Sequence, residues 1–77
     1  MSNSKSPRSS KQADFLSYIE SHPGTTTAAL HRARGSRYAH GAHRFTYDTV
    51  SRMLARGLIV HCEAAEGLRG GGLMRPA

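Results

Sequence analysis

An α+β fold, three helices followed by a small antiparallel β-hairpin, is predicted by three features of the sequence. In residues 45–60, Val50, Met53, Leu54 and Leu58 recur at the three- and four-residue spacing of a buried helical stripe, and Gly57 supplies a stop before Ile59 and Val60. Two shorter helical patterns precede that segment, parted by His22-Pro23-Gly24. A strand-like run, a glycine-rich turn and a second apolar run follow it.

The first helix starts near Ser9 or Ser10, because Ser9 and Gln12 stand at capping-box spacing. Phe15, Leu16 and Ile19 make its buried stripe, with Ala13 and Tyr18 at the margins. Asp14 lies in the early turns, where the helix dipole favours an acid. Proline cannot continue a helix and disfavours a helical residue before it, so His22-Pro23-Gly24 ends the element. Thr25-Thr26-Thr27 runs briefly extended, and Thr26 or Thr27 caps a second helix from 28 to 33 or 34. That helix turns Ala29, Leu30 and Ala33 inward and stops at Gly35.

Residues 36–44 have no clean period and read as a loop with one helical turn around 38–42. The third helix spans 47–56, with Thr46 as N-cap and Gly57 in the left-handed conformation that closes a helix. Arg52 and Arg56 fall one turn apart, away from the apolar stripe. A strand at 58–64, the turn at 66–72 and a return strand at 73–75 complete the hairpin, which Pro76 ends. Phe15 and Phe45 are expected in the core, as is Cys62 as a small apolar residue.

Charge narrows the range of functions. Eleven Lys+Arg stand against five Asp+Glu, a formal net charge of +6. Arginine dominates, and its planar fork suits phosphate and guanine better than a lysine point charge does. Six arginines and one acid, Asp48, lie from Arg32 to Arg56, so the basic block sits inside the folded region and favours a polyanionic partner. Residues 1–9 read as a flexible basic arm and residues 10–75 as the folded domain. The polar N-terminus lacks the apolar run of a secretory signal, no stretch reaches the length of a membrane span, and a cytoplasmic protein is expected.

The order helix, short strand, helix, helix, strand, loop, strand resembles the winged helix-turn-helix domain of small bacterial and phage regulators. The residues that carry the likeness are Pro23-Gly24-Thr25-Thr26-Thr27-Ala28-Ala29-Leu30 and Thr49-Val50-Ser51-Arg52-Met53-Leu54-Ala55-Arg56-Gly57-Leu58-Ile59-Val60. The resemblance covers residues 10–75 as a pattern, with the junction from helix through Arg56-Gly57-Leu58 as its most specific part. It departs from that pattern between the second and third helices. That link is short in the family, whereas here it runs through residues 36–44, a His/Arg-rich segment that is a candidate contact surface of its own.

The resemblance implies a sequence-specific DNA-binding transcriptional regulator whose third helix enters the major groove. Tyr47, Asp48, Ser51 and Arg52 are then the base-reading residues, with Arg52 suited to a bidentate guanine contact. Asp48 either accepts from a cytosine amine or only favours the helix N-terminus. Arg37, Arg44, Thr46 and Arg56 are backbone contacts, and Arg69 at the wing tip is placed for the minor groove. Expected partners are double-stranded DNA and a second copy of the chain on a two-fold operator. The alternatives are a winged helix that grips a host protein, as a phage-type inhibitor does, and a non-specific nucleic-acid binder.

Other chemistry finds little support in the residues. One cysteine permits no internal disulfide or Cys-x-x-Cys site, and a zinc site from His40, His43 and Cys62 lacks a second cysteine and ligand clustering, so no metal or cofactor is expected. Gly70-Gly71-Gly72 precedes a strand and has no Lys-Ser/Thr sequel, unlike a phosphate loop. The aromatics lack the spacing of an RNA-binding sheet, and no nucleophile–base pair is visible, so catalysis is not expected.

Overall fold

The computed structural model describes residues 7–76. Its elements are α1 (Ser10–Ser21), α2 (Thr27–Ala33), two 3-10 turns (Gly35–Arg37 and Ala39–Gly41), α3 (His43–Ala55), β1 (Val60–Glu63) and β2 (Gly71–Met74). This is the predicted α+β class, three helices and an antiparallel hairpin in a winged helix-turn-helix layout. The arm assigned to residues 1–9 lies mostly outside the described residues.

Both early caps form from the threonine and serine side chains. Ser9 Oγ accepts from the Gln12 N–H at 3.2 Å, and Thr26 Oγ1 accepts from the Ala29 N–H at 3.1 Å. The return half of the first capping box shifts by one residue: Gln12 Oε1 accepts from the Arg8 N–H, 3.0 Å away. Arg8 and Ser9 are thereby tied to α1 and do not belong to a free arm. Phe15, Leu16 and Ile19 are buried as expected, Tyr18 is half-buried, and Ala13 is exposed.

In α2 only Leu30 of the three expected inward residues is fully buried. Ala29 and Ala33 are half-buried, and the second buried position is His31. A short helix over a small core can bury a histidine when its ring nitrogen has a partner, and His31 Nδ1 lies 2.7 Å from Thr46 Oγ1.

That bond corrects the start of α3. The helix begins at His43, with Ala42 at the cap position and no side-chain cap bond. Thr46 is therefore an interior residue, fully buried on a stripe with Thr49, Val50 and Met53. Its hydroxyl serves His31 across the helix pair instead of an amide in its own first turn. Thr49 returns its hydroxyl to the Phe45 carbonyl at 2.8 Å, so this polar part of the stripe is satisfied as well. The connection from α2 accordingly contains the two 3-10 turns, the second within the expected helical turn at 38–42.

The other end of α3 follows the local rule. Gly57, at φ +76°, donates to the Leu54 carbonyl, and Leu58 donates to the Met53 carbonyl, each at 3.0 Å. This is the paired bonding of a Schellman motif, and its hydrophobic partners Met53 and Leu58 are both buried. Leu58 and Ile59, expected in the strand, instead finish the core before β1 begins at Val60.

In the hairpin Val60 faces Met74, His61 faces Leu73, Cys62 faces Gly72 and Glu63 faces Gly71. Leu73 also bridges to Thr25, and the Leu73 N–H donates to the Thr25 carbonyl at 2.8 Å. Thr25 thus forms a one-residue third strand that joins the wing to the helices. Around Leu73 the core collects Phe15, Ile19, Leu30, Met53, Leu58 and Ile59. Burying each such side chain stabilises the domain by about 1.5–3 kcal/mol relative to leaving it in water. Phe45 is only partly buried and meets Phe15 edge-on, and Cys62 is partly exposed on β1, so neither belongs to the sealed core.

Candidate nucleic-acid interface

The inward stripe of α3 fixes what its other side presents. With Thr46, Thr49, Val50 and Met53 turned to the core, Arg44, Tyr47, Asp48, Ser51, Arg52 and Ala55 are exposed along the outer face. Tyr47 is 50% exposed, so a large aromatic side chain is half in solvent. All four residues expected to read bases share this face. Asp48 is no longer near the helix start, since α3 opens at His43 and has no acid in its first turn. Its dipole role therefore lapses, and it stands simply as an acceptor on the outer face.

The hairpin brings a second element to one end of that face. Thr26, Thr27, Ala28, Tyr47, Arg69 and Gly70 line one shallow groove of ≈ 190 Å³, together with Gly71. Arg69, remote in sequence from Tyr47, is thereby placed beside the same surface, as a wing requires.

Of the expected backbone contacts, Arg37 and Arg44 are exposed. Thr46 is corrected: its fully buried hydroxyl, committed to His31, is out of reach of any phosphate. Arg56 turns partly back onto the domain, where its Nη1 donates to Gln12 Oε1 at 3.0 Å.

The link between α2 and α3 is held by a polar contact that its residue types did not announce. Asp14 of α1 accepts from Arg34 Nη1 at 2.5 Å and from the Tyr38 hydroxyl at 2.7 Å. Burial pushes the Asp14 carboxyl up, but hydrogen bonds from Tyr38 and Arg34 and the charges of Arg34 and Arg37 outweigh it and hold the group below its ordinary value. The Tyr38 phenol moves up, first through its hydrogen bond to Asp14 and then through burial and the carboxylate charge. Asp14 is thus an anchor between elements more than a partner for the α1 dipole. Phe15 and Phe45 flank the Tyr38 ring at 5.8 and 5.6 Å, and Lys11 Nζ lies 5.9 Å from its centroid. The link is packed down on α1, while Arg37 and His40 remain exposed on it.

His43 stacks on buried His31 with ring centroids 3.9 Å apart, which ties the first turn of α3 to α2. Among the described residues no group of three or more His, Cys, Asp or Glu is arranged to hold a metal ion. No helix there is long and apolar enough to cross a membrane.

Sequence reasoning located the outer face but missed His31, Gln12 and the Asp14–Tyr38 contact as organisers behind it. Only Gln12 left a signal, its spacing from Ser9, and that signal pointed to a cap alone. Compared with family models, with curated proteins and with solved structures, the chain matches none of them.

Proposed function

We propose that this protein is a sequence-specific DNA-binding regulator that lays α3 in the major groove and sets the wing beside it. The observation that carries this reading is the shared exposure of Tyr47, Asp48, Ser51 and Arg52 on one face of a helix whose opposite face is locked in the core. Such a face offers a guanidinium, a hydroxyl, a phenol and a carboxylate to base edges, while exposed Arg37 and Arg44 supply sequence-independent phosphate attraction. Arg69 adds a cation at the groove it shares with Tyr47. One such surface reads few base pairs, so two copies on a two-fold operator fit the expected mode of action, occupancy of an operator that blocks or recruits polymerase.

Selection from a random duplex library at fixed salt tests the reading, followed by gel retardation of the enriched sequence. A consensus is expected, with affinity that falls steeply as salt rises. Arg52→Ala is expected to cost about 1–3 kcal/mol of discrimination at one position of that consensus. Arg44→Ala should weaken all duplexes alike. No enrichment, or enrichment untouched by Arg52→Ala, defeats the proposal. The half-exposed Tyr47 ring is the one feature that favours a protein partner instead, and a host complex that forms without DNA and is lost in Tyr47→Ala marks that outcome.

A further inference from the structure

We infer that the groove between the start of α1 and the end of α3 is a seat for a phosphate group at the edge of the base-reading face, with Arg52 common to both. Arg8, Ser9, Gln12, Arg52, Ala55 and Arg56 line this groove, whose volume is ≈ 430 Å³. Three of these six residues are arginines, one from just before α1 and two from the end of α3, and among the described residues no acidic side chain lines the groove. Cationic side chains that line one concavity focus a positive potential there, which attracts an anion.

A second observation points to the same ligand. Gln12 is only 8% exposed, and it is the buried polar residue at the floor of this groove. Its Oε1 accepts twice, from the Arg8 N–H and from Arg56 Nη1, each at 3.0 Å. Those bonds orient the amide and leave its NH2 donors without a partner among the described residues. Buried amides ordinarily use their donors, and every fully buried side-chain nitrogen or oxygen among the described residues is paired. The Gln12 NH2 therefore keeps contact with the groove, where it complements the guanidiniums. Fixed donors around a cationic concavity match the oxygens of a phosphate, which accept from several directions at once. Arg56 sets the amide through its bond to Oε1, and the exposed side chain of Arg8 is left to face the anion, with Arg52 at the rim that the groove shares with the outer face of α3.

The phosphate can come from the backbone of a bound nucleic acid or from a free phosphorylated molecule. This inference does not rest on base reading by α3, and the test keeps the two apart. Inorganic phosphate is titrated into the 15N-labelled full chain at constant ionic strength, with chloride as the control, while the Gln12 side-chain NH2 and the amides of residues 9–12 are followed. Saturable shifts at these signals are expected with phosphate and not with chloride. Arg8→Ala, which leaves the α3 face intact, should raise the apparent Kd about tenfold, the loss of one charge-assisted hydrogen bond. Gln12→Glu keeps an acceptor for Arg8 and Arg56 but adds a negative charge in place of the donor, and should abolish saturation while the circular-dichroism melt stays cooperative. Repetition with the dinucleotide dTpdT assigns the source. Saturation by the diester alone identifies a nucleic-acid backbone, and saturation by inorganic phosphate alone identifies a free phosphate group. Shifts that chloride reproduces, that fail to saturate with either probe, or that survive both Arg8→Ala and Gln12→Glu overturn the inference. A chain that selects a DNA consensus yet fails this titration keeps its α3 reading and loses only the seat.

Discussion

The two ends of α3 are held by different physics. At its C-terminal end Gly57 and Leu58 close the helix through bonds to Leu54 and Met53, all within a few residues. At its N-terminal end no side chain caps the helix. Its position is set from a distance, by His31 of α2 bonded to Thr46, His43 stacked on His31, and the preceding link pinned to α1 through Asp14. The local end is robust because it depends on a single backbone conformation that glycine adopts without strain. The distant end is vulnerable because several elements must fit together at once. The outer face that carries Tyr47, Ser51 and Arg52 lies between them, so its direction depends on both.

The sharpest way to break this contrast is Gly35→Ala. A Cβ at Gly35 would fall within the hard-sphere radius of Thr46 Oγ1 and 2.9 Å from His31 Nδ1, so it drives apart the pair that holds the N-terminal end. A loss of about 3 kcal/mol is expected from overpacking combined with a broken buried hydrogen bond, read from urea unfolding. Thr46→Ala should recover part of that loss in the double variant, because it removes the hydroxyl that the new methyl strikes. Simple additivity of the two changes would show that Gly35 acts through something other than this contact.

Thr46→Val comes next. It preserves shape but leaves the His31 ring nitrogen without its partner, at a cost of about 1–3 kcal/mol. The telling readout is positional: amide exchange should quicken in residues 43–47 and stay slow at Met53 and Leu58. Uniform acceleration along α3 would mean that its two ends are not separately held.

This contrast also explains what the residues disclosed beforehand. The helix stop at Gly57, the caps at Ser9 and Thr26 and the break at residues 22–24 are short-range features, and each is found where the sequence pattern places it. The start of α3 was misread because Thr46 looks like a cap to any local rule, and its true partner His31 is fifteen residues away. The same holds for Asp14, whose position in α1 suggests a dipole partner while its carboxylate serves Arg34 and Tyr38 of the later link. Cys62 looked internal because strand alternation assigns faces but not which face is covered. The outer face of α3 was legible because helical periodicity needs only the buried stripe to be right, and a start four residues early (His43 in place of Tyr47) does not rotate it. The arginine groove was not legible, since it joins residues 8–12 to residues 52–56 through tertiary packing alone.

Gly57→Ala probes the local end and should cost less, about 1 kcal/mol, the penalty of a side chain at φ +76°. Unlike Gly35→Ala it strikes no buried hydrogen bond, so the remaining structure is expected to unfold cooperatively at a slightly lower urea midpoint. A loss equal to that of Gly35→Ala would reverse the ranking of the two ends.

The smallest effect expected is a pH dependence from the anchor of the α2–α3 link. The Asp14 carboxyl lies below its ordinary value in the folded chain, so its contribution to stability is present above that ordinary value, about pH 4, and is lost as pH falls through the lowered folded value. The Tyr38 phenol lies above its ordinary value, so its contribution is present below about pH 10 and is lost as pH rises through the raised folded value. The two losses share one hydrogen bond but occupy opposite ends of the scale, which makes them separable by substitution. Asp14→Asn should flatten the acid limb of a urea-midpoint profile, and with the carboxylate gone it should also reduce the alkaline limb. Tyr38→Phe should remove the alkaline limb and leave most of the acid limb, because Arg34 still holds the carboxylate. Since the anchor serves the N-terminal end, neither change should alter exchange at Met53 and Leu58 at neutral pH, and an effect there would mean that the link supports the whole of α3 and not one end of it.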